Sequence, residues 1–161
     1  LGVDAVGFVF YDRSPRYITP MKAAAIIRQL PPFVSAVGLF VNPGQEEIDE
    51  VLKYCPLGVV QLHGDESPEF CDAQERRVIK AIAVGSAEDL KQARGYACPL
   101  LLDARAPEGV YGGTGETFDW SLLEGFEHHH PLILAGGLDE HNVEAALCVR
   151  QWFAVDVSSG V

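Results

Sequence analysis

A single aspartate, Asp103, directly follows the apolar run Leu100-Leu101-Leu102. A run of this kind predicts a buried strand, so the carboxyl group at its end is expected to be partly removed from water. A carboxyl group in such a place is suited to general-acid catalysis, in which it donates a proton to a leaving oxygen. A lone aspartate after a strand fits a helix cap or loop cap equally well, and both interpretations stay open for this residue.

Two other strand-like segments end in turns that bring the backbone close to any ligand. One ends in Gly136-Gly137 and the other in Ser158-Ser159-Gly160. Glycine lets a backbone approach a ligand closely, and the last two loops of α/β barrels commonly bind phosphate through backbone N–H groups. The pattern therefore predicts a phosphate-binding site formed by Gly136, Gly137, Ser158, Ser159 and Gly160, although two ordinary glycine turns would look the same.

Arg16 and His63 follow two further strand-like segments. Arg16, in Ser14-Pro15-Arg16-Tyr17, has a guanidinium group that can bind a carboxylate through two hydrogen bonds. An isolated arginine is more often a solvated surface residue. His63, in Gln61-Leu62-His63-Gly64, either donates to a substrate or satisfies a buried strand end.

The segment Tyr111-Gly112-Gly113-Thr114-Gly115 lies in a long loop after Asp103. A loop of this length can close over a site. It lacks the Lys-Ser/Thr ending of a P-loop and departs from GxGxxG, so a nucleotide-binding fingerprint is disfavoured.

No metal site is expected. The adjacent residues His128, His129 and His130 cannot converge on one ion from a helix or a strand. The acidic run at residues 45–52 places Ile48, Val51 and Leu52 on one helical face, which predicts a solvated helix rather than a carboxylate ligand set.

The composition argues against two classes of partner. The 161 residues carry a net charge of −11, which is unsuited to binding nucleic acid or an anionic membrane. An anionic ligand must therefore be held by local donors.

The four cysteines are widely spaced without a CxxC pair, and no leader or apolar run of membrane-spanning length is recognised. We therefore expect a cytoplasmic protein with reduced thiols.

The elements that position these residues alternate between strands and helices along the chain. Helix starts are indicated at Thr19-Pro20, Ser67-Pro68, Ser86, Asp119 and Asp139. Seven apolar runs predict strands, at Ala5–Phe10, Val34–Val41, Leu57–Leu62, Val78–Val84, Pro99–Leu102, Pro131–Ala135 and Trp152–Val157. No linker interrupts them, so we predict a single domain over residues 1–161.

Two α/β architectures fit this order, an open doubly wound sheet and a closed barrel. In a barrel, functional groups collect after the carboxyl ends of most strands. Polar or glycine residues follow nearly every predicted strand here, which favours the barrel.

Seven segments, taken in order, resemble those of the phosphoribosylanthranilate isomerase family. The ordered set covers essentially the whole chain and is more specific than any one segment. The segments are Gly7-Phe8-Val9-Phe10 with Ser14-Pro15-Arg16-Tyr17, Val37-Gly38-Leu39-Phe40-Val41-Asn42, Gln61-Leu62-His63-Gly64-Asp65-Glu66, Leu101-Leu102-Asp103, Tyr111-Gly112-Gly113-Thr114-Gly115, Leu134-Ala135-Gly136-Gly137-Leu138 and Val155-Asp156-Val157-Ser158-Ser159-Gly160-Val161.

The resemblance implies a (βα)8 TIM barrel, with about seven of its eight strands in this chain, and an isomerase of tryptophan biosynthesis. The implied reaction is the Amadori rearrangement of N-(5-phosphoribosyl)anthranilate to 1-(2-carboxyphenylamino)-1-deoxyribulose 5-phosphate. No cofactor is implied, because the protonated imine is itself the electron sink. The reaction needs an acid for the furanose oxygen and a base for the C2′ proton.

Carried over position by position, the resemblance implies that Asp103 is the general acid and that Arg16 meets the anthranilate carboxylate. His63, Gly112 and Gly113 are expected to contact substrate, and the two terminal turns are expected to bind its phosphate. The resemblance is compatible with a monomer or homodimer, and with fusion to another enzyme of the same pathway.

The chain departs from the family in one respect. The family's base is a cysteine in a Lys-x-Cys-Gly segment at the end of the first strand, and residues 1–161 contain no such segment. We therefore expect a domain truncated at both ends, without the first strand and the last helix, and inactive on its own.

Two rival functions remain open. A related barrel enzyme such as indoleglycerol-phosphate synthase would be expected to show a catalytic lysine and a catalytic glutamate at strand ends, and Lys80 is the only candidate of that kind. The other rival is a phosphate-binding module without catalytic activity.

Overall fold

The computed structural model describes residues 2–105, 117–158 and 160. Strands and helices alternate along these residues, as the sequence predicts, and each of the seven predicted strands is present. The chain divides into two compact units, Leu1–Ile79 and Lys80–Val161. The prediction that residues 1–161 make a single domain stays a prediction.

The first unit contains three parallel strands and three helices. Its elements are β1 (Ala5–Val9), α1 (Pro20–Ile27), β2 (Ser35–Phe40), α2 (Gln45–Tyr54), β3 (Val59–Leu62) and α3 (Pro68–Asp72). Strand β2 lies between β1 and β3, with Val9 opposite Leu39 and Phe40 opposite Leu62. The carboxyl ends of all three strands therefore lie along one edge.

The second unit continues the same alternation. Its elements are β4 (Arg77–Val84, paired from Lys80 onward), α4 (Ala87–Ala93), β5 (Leu100–Ala104), a 3-10 helix (Trp120–Leu123), β6 (Leu132–Leu134), α5 (Val143–Val149) and β7 (Ala154–Val155). All pairings are parallel, in the order β4-β5-β6-β7.

The strand order supports the barrel prediction over the open sheet. An open doubly wound sheet reverses its strand order at a switch point. Within each unit, and for the residues described, strands that are consecutive in sequence are also neighbours in the sheet. Neither unit contains a reversal.

Most helix starts follow the predicted caps. The Ser67 hydroxyl accepts a hydrogen bond from the Phe70 N–H at 3.2 Å at the start of α3. Ser86 and Asp89 form a capping box at the start of α4, in which each side chain accepts a hydrogen bond from the backbone N–H of the other residue. Thr19 is the N-cap residue of α1 without a side-chain hydrogen bond.

Two predicted caps begin something other than a regular α-helix. Asp119 accepts from the Ser121 N–H, but the segment that follows is only a short 3-10 helix. The helix expected after Asp139 begins later, at Val143, with Asn142 as its N-cap residue. The Asp139 carboxylate instead accepts from two backbone N–H groups just ahead of it and closes a turn, which competes with helix formation.

Helix α2 confirms the predicted solvated acidic helix. Ile48 is fully buried and Val51 is 5% exposed, whereas the acidic residues of the helix lie in solvent. Burying a side chain such as Ile48 contributes about 2–3 kcal/mol. This apolar face fixes the helix against the first unit.

The core of the second unit lies on one face of β5 and β6. Leu100, Leu102, Leu132 and Leu134 are buried there in one cluster with residues of the surrounding helices. Because side chains alternate along a strand, Asp103 points to the opposite face from Leu102. The packing of the leucines therefore fixes the direction of the Asp103 carboxyl group.

In the part of the chain that the structure describes, every helix is too short or too polar to span a lipid bilayer.

Candidate active site

Asp103 is the fourth residue of β5 and is 7% exposed. Its neighbour in β4 is Ala83, and the Ala135 N–H donates to the Leu102 carbonyl at 2.8 Å, so β6 runs directly beside it. The carboxyl group is therefore buried at the carboxyl end of three paired strands. This is the environment that the sequence predicts for it.

The Gly136-Gly137 turn after β6 touches Asp103. Gly136 and Gly137 have φ angles of +85° and +61°, a region that favours glycine. A Cβ added at Gly136 would lie 2.5 Å from the Ala104 nitrogen and 2.8 Å from Asp103 Oδ1. Among the described residues, neither the Gly136 nor the Gly137 N–H has an acceptor. Two backbone donors next to a buried carboxyl group are suited to holding an anionic sugar ligand.

The turn after β7 packs against the turn after β6. A Cβ added at Gly160 would overlap with the Leu138 carbonyl oxygen and would lie 2.9 Å from Asp139 Cα. Ser158 is exposed at the same strand end. Within the second unit, the structure therefore places Gly136 against Asp103 and Gly160 against the two residues that follow Gly137.

Asn142 holds the turn after β6, and sequence reasoning missed it. Its Nδ2 donates to the Gly137 carbonyl at 2.7 Å, and its Oδ1 accepts from the Asp139 N–H at 3.0 Å. The glycine pair and the aspartate two residues later are thus tied to one side chain. An asparagine a few residues after a glycine turn is the signal that could have identified it.

In the first unit, Arg16 and His63 lie at the carboxyl ends of β1 and β3. The loop that carries Arg16 folds back, so that Tyr17 bridges to Val9 and the Ile18 N–H donates to the Val9 carbonyl at 2.9 Å. Arg16 itself is exposed. The His63 N–H donates to the Phe40 carbonyl at 2.8 Å, and its Nδ1 lies 3.2 Å from Gln61 Nε2.

A buried carboxylate, Glu66, links the loops after β2 and β3. Glu66 is 6% exposed and accepts from the N–H groups of Asn42 at 2.8 Å and Gly64 at 3.0 Å. Asn42 in turn accepts from the Asp65 N–H at 2.7 Å through its side chain, and it has a φ angle of +49°. Sequence reasoning treated Glu66 only as part of a family segment and did not predict this linkage.

Replacing Glu66 with alanine is expected to destabilise the fold by about 1–3 kcal/mol, because two part-buried N–H groups lose a charged acceptor. The measurement is the free energy of unfolding from urea denaturation. The neighbouring change Asp65→Ala is the matched control, since that side chain is exposed, and it should alter stability by no more than about 0.5 kcal/mol. Equal losses for the two variants would show that Glu66 does not hold the loops.

A second carboxylate fixes the start of the long loop after β5. Asp89 accepts from the N–H groups of Gly85 at 2.9 Å and Ser86 at 2.8 Å, and it forms an ion pair with Arg105. Burial raises the pKa of Asp89, but the hydrogen bonds and the Arg105 charge outweigh burial and hold that pKa below its ordinary value. Arg105 is thereby anchored at the last described position before the loop.

Asp89 should make stability depend on pH. Because its pKa is lowered by folding, its contribution is complete above the unfolded value of about 3.9 and is lost as the pH falls through the lower folded value. We expect Asp89→Asn to cost about 1–2 kcal/mol of unfolding free energy at pH 7 and progressively less below about pH 4. The control is Glu88→Gln, an exposed neighbour. A difference that stays constant between pH 7 and pH 2 would contradict the assignment.

Three predicted site residues, Gly112, Gly113 and Ser159, lie outside the described residues. The histidine segment lies within them. The His128 Nε2 is 3.1 Å from the Tyr96 carbonyl oxygen, and its Nδ1 is 3.3 Å from the His130 nitrogen. Across residues 2–105, 117–158 and 160, no three His, Cys, Asp or Glu side chains are grouped as metal ligands.

None of the four cysteines, all in the described part of the chain, forms a disulfide bond. Cys55 caps the end of α2, Cys71 and Cys148 lie within helices, and Cys98 precedes β5. Burial raises the pKa of the Cys55 thiol. In the part of the chain that the structure describes, none of the four follows the carboxyl end of a strand.

Comparison with known proteins identifies the family. The family model described as N-(5′-phosphoribosyl)anthranilate isomerase matches residues 1–161. The enzyme of that name from Geobacter sulfurreducens is 52% identical over 161 residues, which cover 99% of this chain and 79% of the relative. The chain belongs to the phosphoribosylanthranilate isomerase family.

Two solved structures of this family match the fold. Monomers of the dimeric phosphoribosylanthranilate isomerase of Thermotoga maritima match with a TM-score of 0.85 and 44% identity, over 99% of this chain and 78% of that one. A phosphoribosylanthranilate isomerase in complex with reduced 1-(o-carboxyphenylamino)-1-deoxyribulose 5-phosphate matches with a TM-score of 0.83 and 45% identity, with the same coverage. The predicted (βα)8 fold and the predicted isomerase of tryptophan biosynthesis are both confirmed.

Proposed function

We propose that this chain binds N-(5-phosphoribosyl)anthranilate through the strand ends described above and that Asp103 protonates its furanose ring oxygen. The observation that supports this role is the position of the carboxyl group. It is buried at the end of β5 and touches the glycine turn after β6. An acid held in this way transfers its proton without competition from water.

The phosphate of the substrate binds at the two glycine-bearing turns. Gly136 and Gly137 supply backbone N–H groups that have no acceptor among the described residues, and Gly160 packs the next turn against them. A chain with a net charge of −11 needs such local donors for a dianion. The proposed phosphate-binding residues are Gly136, Gly137, Ser158, Ser159 and Gly160.

The anthranilate carboxylate pairs with Arg16. Its guanidinium is exposed at the end of β1 and has no acidic partner among the described residues, so it is available to a ligand. His63, at the end of β3, contacts the substrate, as do Gly112 and Gly113 of the loop after β5. This assignment gives each charged part of the substrate one complementary group.

The proposal includes a single domain over residues 1–161 and a protein that works in the cytoplasm as a monomer or homodimer on a small-molecule substrate. The dimer described for the relative from Thermotoga maritima supports the second possibility. Fusion to another enzyme of tryptophan biosynthesis stays a prediction.

The indoleglycerol-phosphate synthase alternative is disfavoured by Lys80. This lysine is 1% exposed, its Nζ donates to the Ala81 carbonyl at 2.8 Å, and it lies 5.8 Å from the centre of the Tyr96 ring. A lysine enclosed in this way is not presented to a substrate.

The decay of anthranilate fluorescence tests the function. Two proteins are compared, the 161-residue chain and the same chain extended by a family-like first strand carrying Lys-x-Cys-Gly and by a final helix. We expect the extended protein to convert the substrate and the 161-residue chain to bind the reduced product analogue without turnover. Failure of the extended protein to turn over substrate, with analogue binding intact, would favour a module without catalytic activity.

A further inference from the structure

We propose that Asn142 is a positioning residue of the phosphate site, which sets the spacing between the glycine turn after β6 and the turn after β7. The inference rests on the proposed function and adds to it a residue outside the predicted phosphate contacts. Two observations support it: the Asn142 side chain does not cap helix α5, and it hydrogen-bonds to the backbone of Gly137 and Asp139 instead.

Asn142 occupies the N-cap position of α5, yet it does not cap the helix. Asparagine is among the best N-cap residues because its side-chain oxygen accepts from a backbone N–H in the first helical turn. In this helix no such bond is made, and the N-cap backbone has φ −119° and ψ −17° rather than the usual extended conformation. Both polar atoms of the amide are directed elsewhere.

Those atoms bridge the two sides of the glycine turn. Nδ2 donates to the Gly137 carbonyl at 2.7 Å, and Oδ1 accepts from the Asp139 N–H at 3.0 Å. The Asp139 carboxylate in turn accepts a hydrogen bond from the Asn142 N–H at 3.1 Å. The amide thereby fixes the direction of the peptide at Gly137, which is one of the proposed phosphate-binding residues.

The same turn sets the positions of two further groups. Gly136 lies against the Asp103 carboxyl group, and Gly160 packs against the backbone at Leu138 and Asp139. Because these contacts are tight, a shift of the turn must move the Gly160 turn or leave a gap beside it. Asn142 thus acts on phosphate binding through the turn, without touching the ligand.

Serine at position 142 separates capping from turn positioning. Serine caps a helix as well as asparagine does, but its hydroxyl is too short to bridge Gly137 and Asp139 together. Asn142→Ala, which removes the bridge and offers no cap in its place, is the second variant. His141→Ala is the matched control, because the His141 side chain is 83% exposed and only its backbone N–H takes part in the turn.

The experiment measures the affinities of the 161-residue chain for the reduced product analogue and for the same analogue without its phosphate. The unmodified chain should prefer the phosphorylated analogue. Asn142→Ser and Asn142→Ala should each weaken binding of the phosphorylated analogue by about 10-fold, which corresponds to the loss of one or two hydrogen bonds. Binding of the dephosphorylated analogue, and binding by His141→Ala, should not change.

Four results would overturn the proposal. Unchanged binding by Asn142→Ser would show that the amide bridge does not position the turn. Equal losses for both analogues, or unfolding of both variants, would make the role of Asn142 one of general stability. An unmodified chain that binds both analogues equally would instead remove the phosphate site itself, and with it this part of the proposed function.

Discussion

Replacing Asp103 with asparagine should lower kcat by about 100-fold or more, because the amide keeps the size of the side chain but has no acidic proton to donate. KM should change little, since the residue acts on the transition state rather than on binding. The measurement is the decay of anthranilate fluorescence in the chain extended with a Lys-x-Cys-Gly strand.

A matched control for this change is Asp72→Asn, the same substitution at an exposed residue that ends α3. It should leave kcat unaltered. If Asp103→Asn retained near-normal turnover while the protein stayed folded, the proton would have to come from another group, and Asp103 would be only a structural cap.

Replacing Gly136 with alanine should destabilise the protein by about 2–5 kcal/mol. Its φ of +85° costs an alanine about 1–2 kcal/mol, and overpacking adds about 1–3 kcal/mol. The overpacking arises because the new methyl group would meet the Ala104 nitrogen and Asp103 Oδ1. Urea denaturation measures the loss, and binding of the reduced product analogue should weaken at the same time.

Gly125 provides the control for backbone strain alone. Its φ is +69°, but no atom lies within 4 Å of an added Cβ. Gly125→Ala should therefore cost only about 1–2 kcal/mol and leave analogue binding intact. Equal costs for Gly125→Ala and Gly136→Ala would mean that the turn after β6 does not press against Asp103.

The sequence predicted the parts of this fold that local patterns determine. Continuous apolar runs predicted the seven strands of the described residues, and the pair Ser67-Pro68 predicted a helix start. The burial of the Asp103 carboxyl group followed from its position at the end of the apolar run that forms β5. These features depend on residues that are neighbours in the chain, so spacing and residue type are enough to find them.

The missed features depend on contacts between distant segments or on side-chain choices within a turn. Glu66 reaches Asn42 from 24 positions away, and Asp89 pairs with Arg105 from 16 positions away. Nothing local marks Glu66 as buried or Asp89 as the partner of Arg105. Asp139 closes a turn instead of starting a helix because its carboxylate accepts from nearer N–H groups, and periodicity does not register that competition.

The family segments located the candidate site more fully than spacing did. Taken alone, Asp103 fits a helix or loop cap, and Gly136 and Gly160 fit ordinary glycine turns. Their order along the chain connected them, and the structure of the second unit places Gly136 against Asp103 and Gly160 against Leu138 and Asp139. Asn142 stayed outside that set because its side chain acts on the backbone of the turn rather than on a ligand.

The most direct test of the account is a titration of the 15N-labelled chain with the reduced product analogue, followed through backbone amide resonances. The account predicts that the Gly136, Gly137 and Gly160 amides shift together and saturate at one ligand concentration, and that inorganic phosphate shifts the same three. Resonances of these glycines that stay fixed while the analogue binds would contradict it.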